Sequence, residues 1–521
     1  MTGWLWTLVM VQMAMGAFDT LYHHEGTERL AWRASQRTEL MLHGVRNLLY
    51  AVLFMALGWT EPRGGWAVAL IALLFVELFI TLWDFVEEDR SRLLPATERV
   101  THTLLTLNYG VILALLVPLL LGWASQPSAL PRADHGWLSW ACLAGSIGVI
   151  VCGLRDLAAA RRAPRLVEAD PASLAAALLD RHMILVTGGT GFIGRRLVTA
   201  LAAAGHEVIV LTRDPKAAVL PTPVRTVASL DAIPANCAID AIVNLAGEPI
   251  SDSPWTLRKR RRILRSRLIV TRDVLRLAAR LERKPEVLVS GSAIGIYGLR
   301  DATPLTEADA GTACFSQRLC AAWEAAAAGA EALGIRRVTL RTGLVLAAEG
   351  GMLARMLTPF EFGLGGRFGD GGQVTSWIHR DDMVRLIVHA IATPSLAGPV
   401  NATAPGPVTN ADFTAALGRA LARPAILPVP GAPLRWMLGD FAEELLLSGQ
   451  YVVPKAAIDS GFVFAYPTIE AALDTIVGNA PPSRPVVMYQ HPGSGCFAFD
   501  LKVPHPPLDE WFDQHRLVRD A

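Results

Sequence analysis

A doubly wound α/β parallel sheet with a small C-terminal domain, preceded by an all-α transmembrane bundle of four or five helices, is the fold class that the sequence predicts. Three observations carry that expectation. Apolar residues are crowded into the first third of the chain. Beyond residue 182, short Val/Ile/Leu runs alternate with Ala-rich helical stretches, the pattern of βαβ units. Between the first such run and the first such helix lies a glycine-spaced turn at Gly188, Gly191 and Gly194.

Composition sets the outer limits. The 521 residues are 52% hydrophobic and 18% charged with a net charge of +1, and the mean hydropathy is +0.35. So apolar a chain is not disordered, and so neutral a chain is not a nucleic-acid binder. The strong preference for arginine over lysine reads as GC-rich bacterial coding. Six cysteines (Cys142, Cys152, Cys237, Cys314, Cys320, Cys496) show neither metal-ligand spacing nor a paired framework, so reduced thiols are expected.

The bundle occupies residues 1–160. Five stretches read as membrane helices: Trp4–Phe18, Leu40–Trp59, Trp66–Trp83, Thr103–Trp123 and Trp137–Leu154. Most approach the ~20 apolar residues that a bilayer core demands. The first is short, and in a four-span alternative it lies in the interface. Tryptophans mark most span ends, as in an aromatic belt. The first span lacks a basic leader and a cleavage site, so it is not a removable signal peptide. Arg29, Arg33, Arg37, Arg90, Arg92 and Arg99 fall in the loops of one side, and Arg155, Arg161, Arg162 and Arg165 follow the last span. The opposite loops hold only Arg63 and Arg132. The positive-inside rule then puts the N-terminus outside and everything after Leu154 in the cytoplasm of a bacterial cell.

An Ala/Pro/Arg-rich linker, 161–181, leads into a dinucleotide-binding domain at 182–422. His182–Val186 has a buried-strand pattern and runs into Thr187, Gly188, Gly189, Thr190, Gly191, Phe192, Ile193 and Gly194. A helix at Arg195–Ala204, then Gly205 and a second strand at His206–Thr212, complete a Rossmann-like unit. The glycines suit a tight turn, close approach of backbone to a pyrophosphate, and close helix–strand packing. The helix N-terminus offers free N–H groups to the phosphates. After the second strand comes Arg213, where an NAD-preferring site offers an acid to the ribose hydroxyls. A guanidinium there pairs with a 2′-phosphate instead, and Arg195 adds a second contact. NADP(H) is therefore expected over NAD(H). The alternative is that both arginines are solvated surface groups.

Downstream motifs sharpen this reading. Asn244-Leu245-Ala246-Gly247, Ser290-Gly291-Ser292-Ala293 with Tyr297-Gly298, Arg341-Thr342-Gly343 and Trp377-Ile378-His379-Arg380-Asp381-Asp382 resemble landmarks of the extended short-chain dehydrogenase/reductase superfamily. More narrowly, Asn244–Ile250, Trp255, Ser266-Arg267, Ser290–Gly298 and Leu319–Glu324 look like an atypical, NAD-dependent epimerase/dehydratase-like family with a small C-terminal domain, here 423–480. The resemblance spans about Met183 to Ala480. It implies cofactor contacts along Gly188–Arg195 and at Arg213, Leu245, Ala246, Gly247, Ser290 and Arg341, with oxidoreductase or epimerase chemistry.

One departure stands out. The superfamily's Tyr-x-x-x-Lys pair aligns with Phe315 and Leu319, which have no proton to exchange and no charge. That mechanism is not available here. Ser292 and Arg318 are left as catalytic candidates, with Tyr297 and His379 behind them. Each also has a structural alternative, such as a solvated helix face, motif packing or a capped strand end. Two function classes follow: an enzyme acting on an unidentified small or lipidic substrate, and a non-catalytic NADP(H)-binding sensor coupled to its membrane domain.

Three further features complete the sequence. Arg258–Arg267 carries seven basic residues in ten, either a solvated helix face or one resting on anionic lipid. The Pro-rich tail, 481–521, has no readable chemistry. Finally, acids and histidines gather at one end of the predicted spans: Asp19, His23 and His24; Glu39 and His43; Glu77, Asp84, Glu87 and Glu88; Glu98 and His102. Asp19/His23, Glu39/His43 and Glu98/His102 are i,i+4 pairs, each on one helix face. Imidazoles and carboxylates converging from several helices build bundle metal sites. His43, His102, Asp19, His23, Glu39, Asp84 and Glu98 are accordingly candidates to hold a metal or haem. Ion pairing with loop arginines and a polar substrate or proton path are the competing readings.

Overall fold

The computed structural model describes residues 2–92, 94–300 and 302–483, together with the backbone of 487–491 and 494–499. The chain divides into two compact units, Met1–Val167 and Glu168–Ala521.

The first unit is helical. Helix α1 (Gly3–Phe18) continues into a π-helical segment, Asp19–Glu28, and two short turns. Helices α2 (Arg37–Trp59), α3 (Gly65–Ser91), α4 (Ala96–Ala124) and α5 (Trp137–Arg162) follow. Four helical stretches are long and apolar enough to cross a membrane: Ala34–Trp59, Gly65–Ser91, Ala96–Ala124 and Trp137–Arg165. Helix α1 has 16 residues and so rises about 24 Å, short of the ~30 Å hydrocarbon layer. This favours the four-span expectation. Packing is inverted relative to a soluble bundle. Phe75, Phe79, Leu107 and Leu121 project outward, whereas Glu39, Glu77, Asp84 and Glu98 are fully buried. An apolar layer around Leu5, Trp6, Leu53, Leu57, Leu116 and Leu120 forms part of the interior. Helices α2 and α5 approach closely through Gly44 and Gly153; a Cβ on Gly153 would lie 2.9 Å from the Gly44 carbonyl oxygen. Ser139 and Ser146 donate across the same seam to the carbonyls of Gly58 and Ala51, at 2.6 and 3.0 Å.

The second unit is built on a seven-stranded parallel sheet. Its strands are β1 (Met183–Thr187), β2 (Glu207–Leu211), β3 (Arg225–Val227), β4 (Ala241–Asn244), β5 (Val287–Ala293), β6 (Arg336–Thr342) and β7 (Gly398–Ala402). Their order across the sheet is β3-β2-β1-β4-β5-β6-β7. Both faces are buried, as a parallel sheet requires. Ile184 and Val186 pack with Leu197, Val198 and Leu201 of helix α6 (Phe192–Ala203) on one side. Leu185 packs with Ile242, Leu288, Val274 and Leu277 on the other, the last two from helix α7 (Leu257–Arg280). Register aligns the strand ends that matter: Thr187 beside Asn244, Asn244 beside Ser290, and Ser292 beside Arg341.

Part of the expected linker 161–181 belongs to this unit. Leu174, Ala175 and Leu178 are buried in its main core, because a short helix begun at Pro171 is capped by the Asp170 carboxylate and turns its apolar side inward. At the other end, Phe462 and Phe464 join that same core. Val487–His491 and Ser494–Phe499 pair as an antiparallel hairpin; the remainder of the expected tail beyond residue 483 lies outside the described residues.

Candidate functional site

The glycine turn joins β1 to α6. Gly188 has φ +73°, a backbone state that favours glycine. A Cβ there would stand 2.9 Å from the Ala246 nitrogen, and one on Gly194 would strike the Gly188 carbonyl. The turn and the β4 end are therefore in contact, and neither glycine has room for a side chain. Gly191 precedes the first turn of α6, and Thr190 beside it is exposed. The free N–H groups of α6 thus open to solvent beside Leu245, Ala246 and the exposed Gly247. Arg195 and Arg213 are both exposed, one in the first turn of α6 and one just past β2. Their neighbour in sequence, Arg196, is used structurally: it binds the Asp381 carboxylate at 2.8 and 3.0 Å and Glu168 at 2.8 Å.

Behind the turn, polar groups are satisfied in a chain. The Thr187 hydroxyl donates to Asn244 Oδ1 at 2.7 Å. Asn244 Nδ2 donates to the Thr271 hydroxyl at 2.9 Å, and the Trp323 indole reaches the same oxygen at 3.2 Å. Ser290 is fully buried in the middle of β5. This chain of bonds fixes the C-terminal end of β4 beside the glycine turn.

Ser292 meets a partner that the sequence reading did not single out. Its hydroxyl donates to Glu324 Oε1 at 2.7 Å. Glu324 lies on helix α8 (Phe315–Ala327), within the Leu319–Glu324 motif, so the motif was visible but its contact was not. Arg341 clamps that carboxylate with two bonds of 3.1 Å, and donates to the Tyr297 hydroxyl at 3.0 Å and the Glu307 carbonyl at 3.0 Å. Burial depresses the Arg341 pKa, but Glu324 and Tyr297 outweigh it and leave the guanidinium firmly charged. The expected cofactor contact at Arg341 is thereby corrected: its donors are committed to protein. Tyr297 is fully buried and donates to Asn401 at 2.6 Å. Burial pushes its phenol upward, so its packing role is the one observed.

The Tyr/Lys positions are apolar in space as well as in sequence. Phe315 and Leu319 join Trp255, Ile263 and Phe441 in one cluster, with the Phe315 ring 4.9 Å from that of Trp255 in an edge contact. Glu444 closes the N-terminus of α8, accepting from the Phe315 and Ser316 amides at 3.1 and 2.8 Å and from the Ser316 hydroxyl at 2.5 Å. Arg318, a catalytic candidate, is exposed on α8. That geometry gives it a surface position.

His379 also proves structural. Its Nδ1 accepts from the Asp381 amide at 3.1 Å, capping helix α9 (Arg380–Ala392), and its ring packs 3.8 Å from that of Tyr466. Burial lowers its pKa to about 4. Asp382 accepts from the amides of Ala465 and Tyr466 at 2.9 and 2.8 Å. The basic run on α7 is partly spent: Lys259 binds Glu248 at 3.0 Å, Arg262 binds Glu248 at 3.0 Å, and Arg260 binds Asp440 at 2.6 Å. Arg258, Arg261 and Arg265 stay exposed.

In the first unit, four donors converge: Asp19, His24, Glu98 and His102, within 4.8 Å of one another. His24 joins this group where His23 was expected; in this π-helical segment both histidines contact Asp19, one on each oxygen. His23 instead holds the other Asp19 oxygen at 2.8 Å and reaches Thr97 at 3.3 Å. The expected ligands His43 and Asp84 pair with each other at 3.0 Å, and Arg46 takes Asp84 at 2.6 Å. Glu39 accepts from Arg92 at 2.9 Å. Asp84 and Glu39 are corrected to neighbouring ion-pair positions, whereas His43 also lies in a second potential ligand group with His24 and Glu88.

Comparison with known proteins follows the same division. Residues 184–402 match the NAD dependent epimerase/dehydratase family, and residues 429–476 a domain of unknown function, DUF1731. An epimerase family protein of Mycobacterium tuberculosis is 40% identical over 56% of this chain and 96% of its own length. Epimerase family protein YfhF of Bacillus subtilis is 37% identical over 57% of this chain and 98% of its own. The crystal structure of human epimerase family protein SDR39U1 with NADPH superposes with a TM-score of 0.52 and 34% identity, covering 57% of this chain and all of that one.

Proposed function

Since this chain belongs to the NAD-dependent epimerase/dehydratase family, we propose that its second unit is an NADP(H)-binding, oxidoreductase- or epimerase-like module tethered to a bacterial cytoplasmic membrane by the first. The carrying observation is the glycine turn flanked by two exposed arginines, Arg195 and Arg213, where an acid would mark NAD. The NADPH held by the human relative supports the same assignment. Four long apolar helices with apolar outer faces support the tether, and the arginine asymmetry of the loops supports a cytoplasmic second unit. When bound, the cofactor supplies hydride exchange at its nicotinamide ring. This chain's own part is proton handling by Ser292 and Glu324, standing in for the Tyr/Lys pair on a small or lipidic substrate.

A sensor without turnover is the second reading, favoured by the apolar cluster that fills the Phe315 and Leu319 positions. The binding half is common to both. Full-length protein in mild detergent is expected to bind NADPH, read by energy transfer from tryptophan to the reduced nicotinamide. Gly194→Ala is expected to abolish that signal while the chain stays monodisperse. No binding by the unsubstituted chain would refute the proposal. Among binders, Ser292→Ala and Glu324→Gln separate the readings: loss of NADPH oxidation with binding retained identifies the enzyme.

A further inference from the structure

The four-donor cluster in the first unit brings two imidazoles and two carboxylates within 4.8 Å of one another, close enough to share one ion. Donor atoms held about 2.1 Å from one ion stand about 3.0 Å apart in an octahedron and about 3.4 Å apart in a tetrahedron. Here His102 Nε2 lies 3.1 Å from Asp19 Oδ2, His24 Nε2 lies 3.4 Å from the same oxygen, and His24 Nε2 lies 3.8 Å from Glu98 Oε1. His24 supplies the independent sign. Its side chain is 9% exposed, and its Nε2 points into the cluster with no hydrogen-bond partner. An orphaned imidazole nitrogen in a dry interior costs free energy unless something binds it.

Asp19 and His102 are held from behind through their second polar atom, and Glu98 is held through both oxygens, including Oε1 on the cluster side. His23 holds Asp19 through its second oxygen at 2.8 Å. Arg92 grips Glu98 with bonds of 2.7 and 2.8 Å. Glu88 stands 3.3 Å from the far nitrogen of His102. The His24 ring stacks on His43, with centroids 4.5 Å apart and planes at 4°. Carboxylate-backed histidines of this kind fix ring orientation and raise ligand basicity. The stack opposes the alternative in which imidazolium ions alone neutralise the acids, since two parallel cations at that spacing repel.

We propose that Asp19, His24, Glu98 and His102 bind one divalent transition-metal ion, with His23, Arg92, Glu88 and His43 as positioning residues. A mixed imidazole–carboxylate set without thiolate suits zinc, iron or manganese. The four acids around the cluster, Asp19, Glu39, Glu88 and Glu98, outnumber Arg92 and so can offset the charge of a divalent ion within the apolar bundle. Four protein donors around one point leave no equatorial plane for a porphyrin, so the haem expectation is set aside. This inference is independent of the dinucleotide site, which lies in the other unit.

The test uses the full-length chain in mild detergent, stripped with chelator and titrated with Co2+, then Zn2+ in competition. The expected result is about one equivalent of Co2+ with visible absorption bands that Zn2+ displaces. His24→Ala is expected to lose the bands. His23→Ala should weaken affinity about 10–100-fold. His24→Gln, of similar volume, guards against unfolding, and monodispersity with retained NADPH binding certifies each variant. An unsubstituted chain that takes up neither ion, or a folded His24→Gln that binds as tightly as the parent, would overturn the proposal.

Discussion

The two units of this chain solve the same burial problem with opposite patterns. In the sheet unit, Val186, Leu197 and Val243 are completely buried, and polar groups emerge at strand ends. In the helical unit, Phe79 is 62% exposed while Glu77, two residues earlier, is wholly buried. Glu77 is tolerated because Tyr50 and Thr81 each donate to it at 2.7 Å and Tyr109 closes its other oxygen. The difference is the one expected if the two units meet different solvents. Where water surrounds the fold, apolar area goes inside. In the proposed membrane setting of the helical unit, a buried acid is tolerated only with its oxygens partnered, and such an acid marks function or a fixed network.

The largest expected effect breaks the helical unit. Arg92 bridges Glu39 and Glu98, both fully buried. Arg92→Ala removes the guanidinium shared by two buried carboxylates and should cost about 3–5 kcal/mol, read as a fall in thermal or denaturant midpoint in detergent. A change within error would show that water reaches the cluster. A smaller loss is expected from the sheet unit when the superfamily pair is restored. Phe315→Tyr with Leu319→Lys puts an ammonium into the Trp255 cluster, where Leu319 is 3% exposed. The cost should be about 3 kcal/mol, with no gain in NADPH turnover. Increased turnover would mean that the apolar replacement is not an adaptation of this site.

How much of this was legible in the sequence divides along the same lines. The glycine turn could be read because its contacts are local: Gly188, Gly191 and Gly194 answer to one another within seven residues. Arg213 could be read because β2 ends beside it. Glu324 could not be matched to Ser292, nor Glu444 to the start of α8, because those contacts join segments 32 and 128 residues apart. His23 pairs with Asp19 as the i,i+4 spacing anticipates, whereas the contact of His24 with the other Asp19 oxygen could not be read because the segment turns with a π period. Arg341 carried a motif whose meaning is internal bracing, and only its partners reveal that.

The smallest effect separates the units by pH. His379 stays neutral when folded, with burial holding its pKa near 4 against 6.5 in the unfolded chain. Arg380 and Arg196 add to the depression, and Asp381 and Glu168 oppose it. Below pH 6.5 the unfolded chain takes up the proton first, so stability should fall as pH drops from 6.5 towards 4 and level off below. At pH 5 the loss is about 2 kcal/mol. His379→Asn, which keeps an N-cap acceptor, should flatten that slope for the sheet unit. An unchanged slope would move the effect to other groups.

The central claim is that Arg213 makes the sheet unit a reader of the 2′-phosphate. Titrating the full-length chain in parallel with NADPH and NADH, and repeating both with Arg213→Glu, tests it most directly. The account predicts tighter binding of NADPH by the unsubstituted chain and loss or reversal of that preference in the variant. Equal affinities for the two cofactors in the unsubstituted chain would contradict it.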